Sequence, residues 1–214
     1  MFKKTDVELV NLFPTFMLEC HVDPRLADQI EDILTSEIDG MPTEQTGSLH
    51  TDYFTDERID IKGLCPKLYK EMEKAKDHAV DITTFKATNE FDAWVQDYRD
   101  DKAVHPRHQH GISGISGVYW VRANEGAGPL IFYNPDPTLD YVAAEDWFNP
   151  YRTTIYEYMP KKGMMLLFPS YLQHEVMPSL PNVVRTTIAF NFISPDHKDP
   201  NKKFIEVTDD DHTA

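Results

Sequence analysis

The sequence predicts a mainly β protein with flanking helices, of the α+β class, whose antiparallel strands form a sandwich or a barrel. Up to about residue 90, apolar residues recur with the period of a helix. From about Phe91, short apolar or alternating runs are separated by Gly, Pro and Asn, a spacing that favours antiparallel sheets over a βαβ fold. The 214 residues contain no repeat, low-complexity tract or linker. We therefore predict one domain, 1–214, with a helical support layer in 1–90 and a β core in 91–195.

Two amphipathic helices are predicted in the N-terminal layer. The first begins at Asp23-Pro24, with Asp as N-cap and Pro in the first turn, and Gly40 ends it. Its apolar positions are Leu26, Ile30, Ile33, Leu34 and Ile38. The second begins near Pro66, and its apolar face carries Leu68, Met72, Ala75 and Ala79. Neither helix clusters reactive side chains, so both are predicted to serve packing.

Seven strands are predicted in the remainder of the chain. They are Trp94–Tyr98, Gly117–Arg122, Pro129–Tyr133, Thr153–Met159, Met164–Pro169, Leu172–Met177 and Val184–Ile193. The longest interruption, 134–152, is rich in Pro, Asp and aromatic residues. It is predicted to be either a lid over a site or a surface loop, and the sequence leaves both open.

Charge and composition exclude some classes of partner. The chain has 21 basic and 36 acidic residues, a net charge of −15, which disfavours non-specific binding to nucleic acid or anionic membranes. No apolar run reaches the roughly 18 residues of a membrane span, and the first residues lack the apolar core of a signal peptide. We therefore expect a cytoplasmic protein. Cys20 and Cys65 lack a metal-type spacing and are predicted to be free thiols.

Three histidines form the strongest candidate for a chemical site. His108 and His110 are two residues apart, so on a strand their side chains would share one face. A third ligand from a distant strand, His174, would complete one face of an octahedron and leave the other open, as iron(II) oxygen chemistry requires. Alone, this histidine pair is a weak signal. His105 forms an HxxH with His108, but the adjacent Pro106 indicates a loop.

Arg185 is the candidate anion-binding residue. It lies in an alternating apolar run, where burying a guanidinium is costly unless an anion pairs with it. Its planar fork matches a carboxylate, and Thr187 would add a hydroxyl on the same face. The alternative is that Arg185 lies on the solvent face and pairs with a surface acid, and the run by itself does not decide.

Taken together, the motifs resemble 2-oxoglutarate/iron(II)-dependent oxygenases, especially a bacterial and phage branch distantly related to prolyl hydroxylases. The resemblance covers nearly the whole chain and is specific as an ordered set of motifs. The motifs are His108-x-His110, Ser116-Gly117-Val118-Tyr119-Trp120-Val121, Gly128-Pro129-Leu130-Ile131-Phe132-x-x-Pro135, Leu167-Phe168-Pro169-Ser170-x-Leu172-x-His174-x-Val176 and Arg185-x-Thr187-Ile188-Ala189-Phe190-Asn191.

This resemblance implies a double-stranded β-helix (a jelly-roll, cupin-like fold) with the metal at its open end. It implies a dioxygenase, an oxidoreductase that uses iron(II), 2-oxoglutarate and O2 and hydroxylates an unknown prime substrate with release of succinate and CO2. His108 and His174 would bind the metal, and Arg185 the C5 carboxylate of 2-oxoglutarate. Thr187 would lie beside that arginine. Tyr98 would form part of the cosubstrate wall.

Position 110 departs from the pattern, because most of these oxygenases have Asp or Glu there. With His110 as the second ligand, two alternative functions stay open. One is a three-histidine cupin-type metalloenzyme that does not use 2-oxoglutarate, which fits His110 but leaves Arg185 and Thr187 unexplained. The other is a non-catalytic jelly-roll binding module, against which the retained histidines argue. The sequence also leaves open a homodimer formed through an edge strand or the helical layer.

Overall fold

A computed structural model describes residues 15–38, 53–54, 59–99, 101–110, 114–136 and 153–196. The helices in these ranges are α1 (Pro24–Ile38), α2 (Ile61–Leu64) and α3 (Pro66–Thr83). The strands are β1 (Leu18–His21), β2 (Tyr53–Phe54), β3 (Phe91–Tyr98), β4 (His105–His108), β5 (Ile115–Ala123), β6 (Leu130–Tyr133), β7 (Ile155–Tyr158), β8 (Met164–Pro169), β9 (His174–Val176) and β10 (Arg185–Phe192).

The strands form two antiparallel sheets. The larger has six strands in the order β1-β8-β5-β10-β3-β2, and the smaller has four in the order β4-β9-β6-β7. Every neighbouring pair is antiparallel. The predicted mainly β fold with flanking helices is confirmed. Residues before 91 also contribute β1 and β2 to the larger sheet, so this part of the chain is not solely helical.

Apolar side chains pack on both faces of the larger sheet. On one face, α1 and α3 contribute a cluster that includes Ile30, Leu68 and Met72 and packs against Ile188 and Phe190 of β10. On the other face, a second cluster joins the two sheets and is formed by Trp120, Leu130, Phe132, Tyr158, Met164, Leu166, Phe168 and Leu172. Strands β5 and β8 contribute residues to both clusters and are therefore covered on both sides, which explains their largely apolar sequences.

Most predicted elements are present with shifted ends. The predicted strand Met164–Pro169 coincides with β8, and the predicted helix at Pro66 is α3. Four short elements, α2, β1, β2 and β4, were not predicted. The loop expected around Pro106 is wrong: this residue lies in β4, an edge strand of the smaller sheet, where a missing backbone N–H is tolerated.

Two further predictions concern the chain outside these elements. In the interruption predicted at 134–152, residues 137–152 lie outside the described residues, so the lid stays a prediction. Among the helices that the structure describes, none is long and apolar enough to cross a membrane.

Candidate metal centre

The three predicted histidines meet at one end of the smaller sheet. His108 ends β4 and His174 begins β9, and the two residues are paired across the antiparallel ladder. His110 lies beyond β4, and its backbone N–H donates to the carbonyl of Ser170 at 2.9 Å. One ring nitrogen from each histidine can be chosen so that all three lie within 4.8 Å of one another. The trio is brought together by strand pairing and by this tether, rather than by the simple alternation that the sequence suggested.

Hydrogen bonds at Nδ1 define which nitrogen of each strand histidine is available. His108 Nδ1 lies 2.7 Å from the carbonyl oxygen of Pro106, and His174 Nδ1 lies 2.8 Å from that of Leu172. A carbonyl oxygen only accepts, so Nδ1 donates in both rings and carries the proton. The lone pair is then on Nε2, the nitrogen that a metal would bind.

His110 is also protonated at Nδ1, but its hydrogen-bond acceptor is a side chain and not the backbone. Its Nδ1 lies 2.9 Å from Oδ1 of Asn191 on β10. The indole of Trp94 stacks on the ring, with centroids 5.6 Å apart. His110 is therefore held by residues of the larger sheet, while the other two histidines belong to the smaller one.

Burial favours the neutral form of His108 and His174. It lowers the pKa of His108, and it lowers the pKa of His174 well below its ordinary value, with the nearby His108 adding to the effect. A neutral ring is the form that binds a metal. Imidazole nitrogens also suit iron, so the donor chemistry of this cluster fits iron(II).

An open cavity lies next to the histidines. The residues that line it come from both sheets and are Trp94, Gln96, Tyr98, His105, His108, His110, Gly117, Val118, Trp120, Gly128, Leu130, Phe168, His174, Val176, Arg185, Thr187 and Ala189. All six predicted site residues are in this set. The cavity thus combines a histidine cluster that could hold a metal with a wall that carries a cation and hydroxyl groups.

Arg185 is buried, with 1% of its surface exposed, so the alternative of a solvent-facing arginine is wrong. Its Nη1 donates to the carbonyls of Gly128 and Met177, and its guanidinium lies 4.2 Å from the ring centroid of Tyr98. Nε and Nη2 have no hydrogen-bond partner among the described residues. Burial lowers the pKa of Arg185 to about 10, which still leaves it charged at neutral pH. A buried fork with two unused N–H groups fits a carboxylate ligand.

Thr187 and Tyr98 contribute the other polar groups of this wall. The Thr187 hydroxyl and the Tyr98 phenol are buried and, within the described ranges, have no partner for their oxygens. Burial raises the pKa of Tyr98, so the phenol keeps its proton. Both hydroxyls can therefore donate to an anion beside Arg185.

The carbonyl cradle around Arg185 depends on a glycine that the sequence reasoning did not single out for this role. A Cβ on Gly128 would lie 2.2 Å from the carbonyl oxygen of Met177 and 2.3 Å from that of Pro178. Only glycine permits this approach, which brings the Gly128 and Met177 carbonyls to the same guanidinium. The Gly-Pro pair at 128–129 was the available signal.

His105 is a second residue that the sequence reasoning set aside. Its ring stacks on His108 with centroids 3.8 Å apart and an interplanar angle of 10°. Gln96 Nε2 lies 3.0 Å from His105 Nδ1, so the amide donates and Nδ1 accepts. Burial and the neighbouring His108 and His110 lower the pKa of His105 to about 3. It is a neutral wall residue, and the stacking fixes the ring plane of His108.

Residues 92–191 match the model of a family described as "Putative 2OG-Fe(II) oxygenase". This segment is similar in sequence to the 2OG-Fe(II) oxygenase family. The matched span contains all the site residues described above. No curated protein has a sequence that matches the chain.

Solved structures of oxygenases share the fold. A Pseudomonas putida prolyl-4-hydroxylase superposes with a TM-score of 0.56 at 13% identity, covering 83% of this chain and 88% of the other. A Trichoplax adhaerens prolyl hydroxylase, in complex with a hypoxia inducible factor peptide fragment, gives 0.55 at 15% identity, covering 83% of each chain. A Burkholderia pseudomallei oxidoreductase of the 2OG-Fe(II) oxygenase family gives 0.54 at 13% identity, covering 84% of each.

The family match indicates the class of chemistry. The predicted double-stranded β-helix is confirmed, as is the prediction of an oxidoreductase that uses iron(II), 2-oxoglutarate and O2. The cluster of His108, His110 and His174 fits iron binding. The family match does not support the alternative of a cupin-type enzyme that does not use 2-oxoglutarate.

Proposed function

We propose that the protein is a hydroxylating dioxygenase in which His108, His110 and His174 hold iron(II) through Nε2. Arg185 binds the C5 carboxylate of 2-oxoglutarate, and Thr187 donates to the same carboxylate. When bound, the metal and 2-oxoglutarate supply the oxygen activation that hydroxylates a prime substrate and releases succinate and CO2. The carrying observation is that a buried guanidinium with two unused N–H groups lines the same cavity as three converging imidazoles.

The chain's own residues bind, orient and exclude water. The backbone carbonyls of Pro106 and Leu172 keep Nδ1 of two histidines protonated, so the lone pairs of both Nε2 atoms are presented to the metal. Phe168 packs edge-on against His174 with ring centroids 4.9 Å apart. Tyr98 packs against Arg185 and completes the wall that surrounds the cosubstrate.

We also propose that 1–214 forms one domain, with 1–90 as a support layer and 91–195 as the double-stranded β-helix. The net charge of −15 supports a protein that does not take nucleic acid as its partner. We further propose a cytoplasmic location. The prime substrate is a molecule distinct from 2-oxoglutarate, and a homodimer stays open.

Anaerobic titration of the metal-free protein with iron(II) and then 2-oxoglutarate tests the proposal. We expect stoichiometric iron and the weak visible charge-transfer band of the chelate. His174→Ala should abolish iron binding, because it removes one of three ligands. His21→Ala is the matched control, since His21 is exposed on β1 and lies outside the cluster.

Each result assigns the function differently. Retained stoichiometric iron with full turnover in His174→Ala would refute the ligand assignment. Iron binding without the band in the wild-type protein would favour the three-histidine enzyme that does not use 2-oxoglutarate. A wild-type protein that binds no iron would be a jelly-roll binding module.

A further inference from the structure

His110 differs from the other two histidines in how its tautomer is set. The Nδ1 partners of His108 and His174 are backbone carbonyls two residues earlier, which no substitution removes directly. The Nδ1 partner of His110 is the side-chain oxygen of Asn191, 81 residues away. The hydrogen bond at Nδ1 of this one imidazole is therefore made to a replaceable side chain and not to the backbone.

Asn191 is itself held by two serines. Ser116 Oγ lies 2.7 Å from Asn191 Oδ1 and 2.8 Å from Ser170 Oγ. A hydroxyl has one proton and an amide oxygen only accepts, so Ser116 donates to Asn191 and accepts from Ser170. Asn191 Oδ1 then uses both lone pairs, one for Ser116 and one for Nδ1–H of His110. The direction of every hydrogen bond in the chain is fixed.

The hydrogen-bond network returns to His110 through the backbone of Ser170. The backbone carbonyl of Ser170 accepts from the backbone N–H of His110 at 2.9 Å, so both ends of this residue are tied to the same network. Ser116, Ser170 and Asn191 are 0%, 1% and 6% exposed. At such burial an unmet partner is costly and an intact network is rigid. Strand pairing fixes the position of His108. Because His110 lies outside β4, these hydrogen bonds fix its position instead.

We propose that Asn191 is a positioning residue that, with Ser116 and Ser170, holds His110 in the Nδ1–H tautomer and presents its Nε2 to the metal. The inference rests on the proposed function, in which His110 is a ligand. The amide accepts the hydrogen bond without adding charge. A carboxylate at this position would accept the same bond and add a negative charge behind the ligand.

Cobalt(II) titration of the full chain, followed by its visible absorption, measures the affinity without relying on turnover. Asn191→Ala removes the acceptor, and loss of such a partner weakens metal binding by about 10- to 100-fold. Asn191→Asp keeps an acceptor and should bind cobalt at least as tightly as the wild type. Ser116→Ala removes only the second hydrogen bond to Asn191, so we expect a smaller loss.

Nitrogen-15 NMR of the histidine rings in the metal-free protein gives the second readout. Wild type and Asn191→Asp should show His110 protonated at Nδ1, whereas Asn191→Ala should lose this preference. Thr186→Val is the matched control, because Thr186 also lies on β10, is also buried and donates to Asp97. It should lower the free energy of unfolding without changing cobalt affinity or the His110 tautomer.

The outcomes separate this inference from the function beneath it. Weakened cobalt binding in Asn191→Ala, restored in Asn191→Asp and absent from Thr186→Val, supports the positioning role. Equal losses in Asn191→Ala and Thr186→Val would reduce Asn191 to a structural residue and overturn the inference. Unchanged affinity and tautomer in Asn191→Ala would overturn it while leaving the metal site in place. A wild-type protein that binds no cobalt would overturn the proposed metal site itself.

Discussion

Replacing Arg185 by alanine should weaken the binding of 2-oxoglutarate and leave metal binding intact. The guanidinium has two N–H groups without partners among the described residues, at Nε and Nη2, and a carboxylate can accept from both. A buried charge pair that loses one member costs about 3 to 5 kcal/mol of binding free energy, given about 1.5 to 3 kcal/mol for each hydrogen bond to a charged group. At about 1.4 kcal/mol per tenfold, the dissociation constant of 2-oxoglutarate should rise roughly 100- to 4,000-fold.

The assay is anaerobic titration of 2-oxoglutarate into iron(II)-loaded protein, with the midpoint of the visible band as the readout. Arg185→Ala should still bind iron, because Arg185 is not part of the imidazole cluster. Arg122→Ala is the matched control: Arg122 lies on the neighbouring β5, pairs with Glu31 at 3.0 Å and does not line the cavity. If Arg185→Ala bound 2-oxoglutarate as the wild type does, Arg185 would not be the carboxylate anchor and the proposed cosubstrate orientation would be wrong.

Three further substitutions test other parts of the structure. Thr187→Val should weaken 2-oxoglutarate binding by about 0.5 to 1.5 kcal/mol in the same titration, without lowering stability, because its hydroxyl has no partner among the described residues. Gly128→Ala should lower the free energy of unfolding in urea by about 1 to 3 kcal/mol and weaken 2-oxoglutarate binding, since the added Cβ lies 2.2 Å from the Met177 carbonyl oxygen. The hydrogen bond from Lys162 holds the pKa of Glu31 below its ordinary value. Ionised Glu31 therefore adds to the free energy of unfolding above pH ~4.3, the pKa of an unfolded chain, and this contribution is lost as the pH falls through the lower pKa of the folded state. Glu31→Gln should therefore cost up to about 1 kcal/mol at pH 7 in urea unfolding and nothing in strong acid; an equal cost at both would contradict the ion pair.

The larger helices and strands could be predicted from the residues within and next to them. Strand β8 is bounded by Gly163 and Pro169 and is apolar throughout, so both its type and its ends could be predicted. Helix α3 begins at a proline and keeps a helical period over its buried face. The prediction failed where a tertiary partner decides: Pro106 reads as a loop by itself, and only pairing with β9 makes it an edge strand.

The site was predictable as a set of residues but not as a geometry. Because β10 is buried on both faces, alternation in its sequence could not tell which face holds Arg185. Similarly, the spacing of His108 and His110 suggested one strand, whereas His110 is placed by the Ser170 carbonyl 60 residues later. Contacts of this range have no local signature. The hydrogen-bonded chain through Asn191 is of the same kind.

A histidine ligand at position 110, as proposed above, would change how the charge of a bound metal is balanced. In the usual triad a carboxylate offsets one of the two positive charges of iron(II). In the proposed site the ligand would be a neutral imidazole, and its hydrogen-bond partner, Asn191, is a neutral amide. In that site the two carboxylates of 2-oxoglutarate would supply the main negative charge, one toward the metal and one toward Arg185. Asn191→Asp and Arg185→Ala act on opposite terms of this balance, the first by adding an anion behind the metal and the second by removing the cation at the far carboxylate.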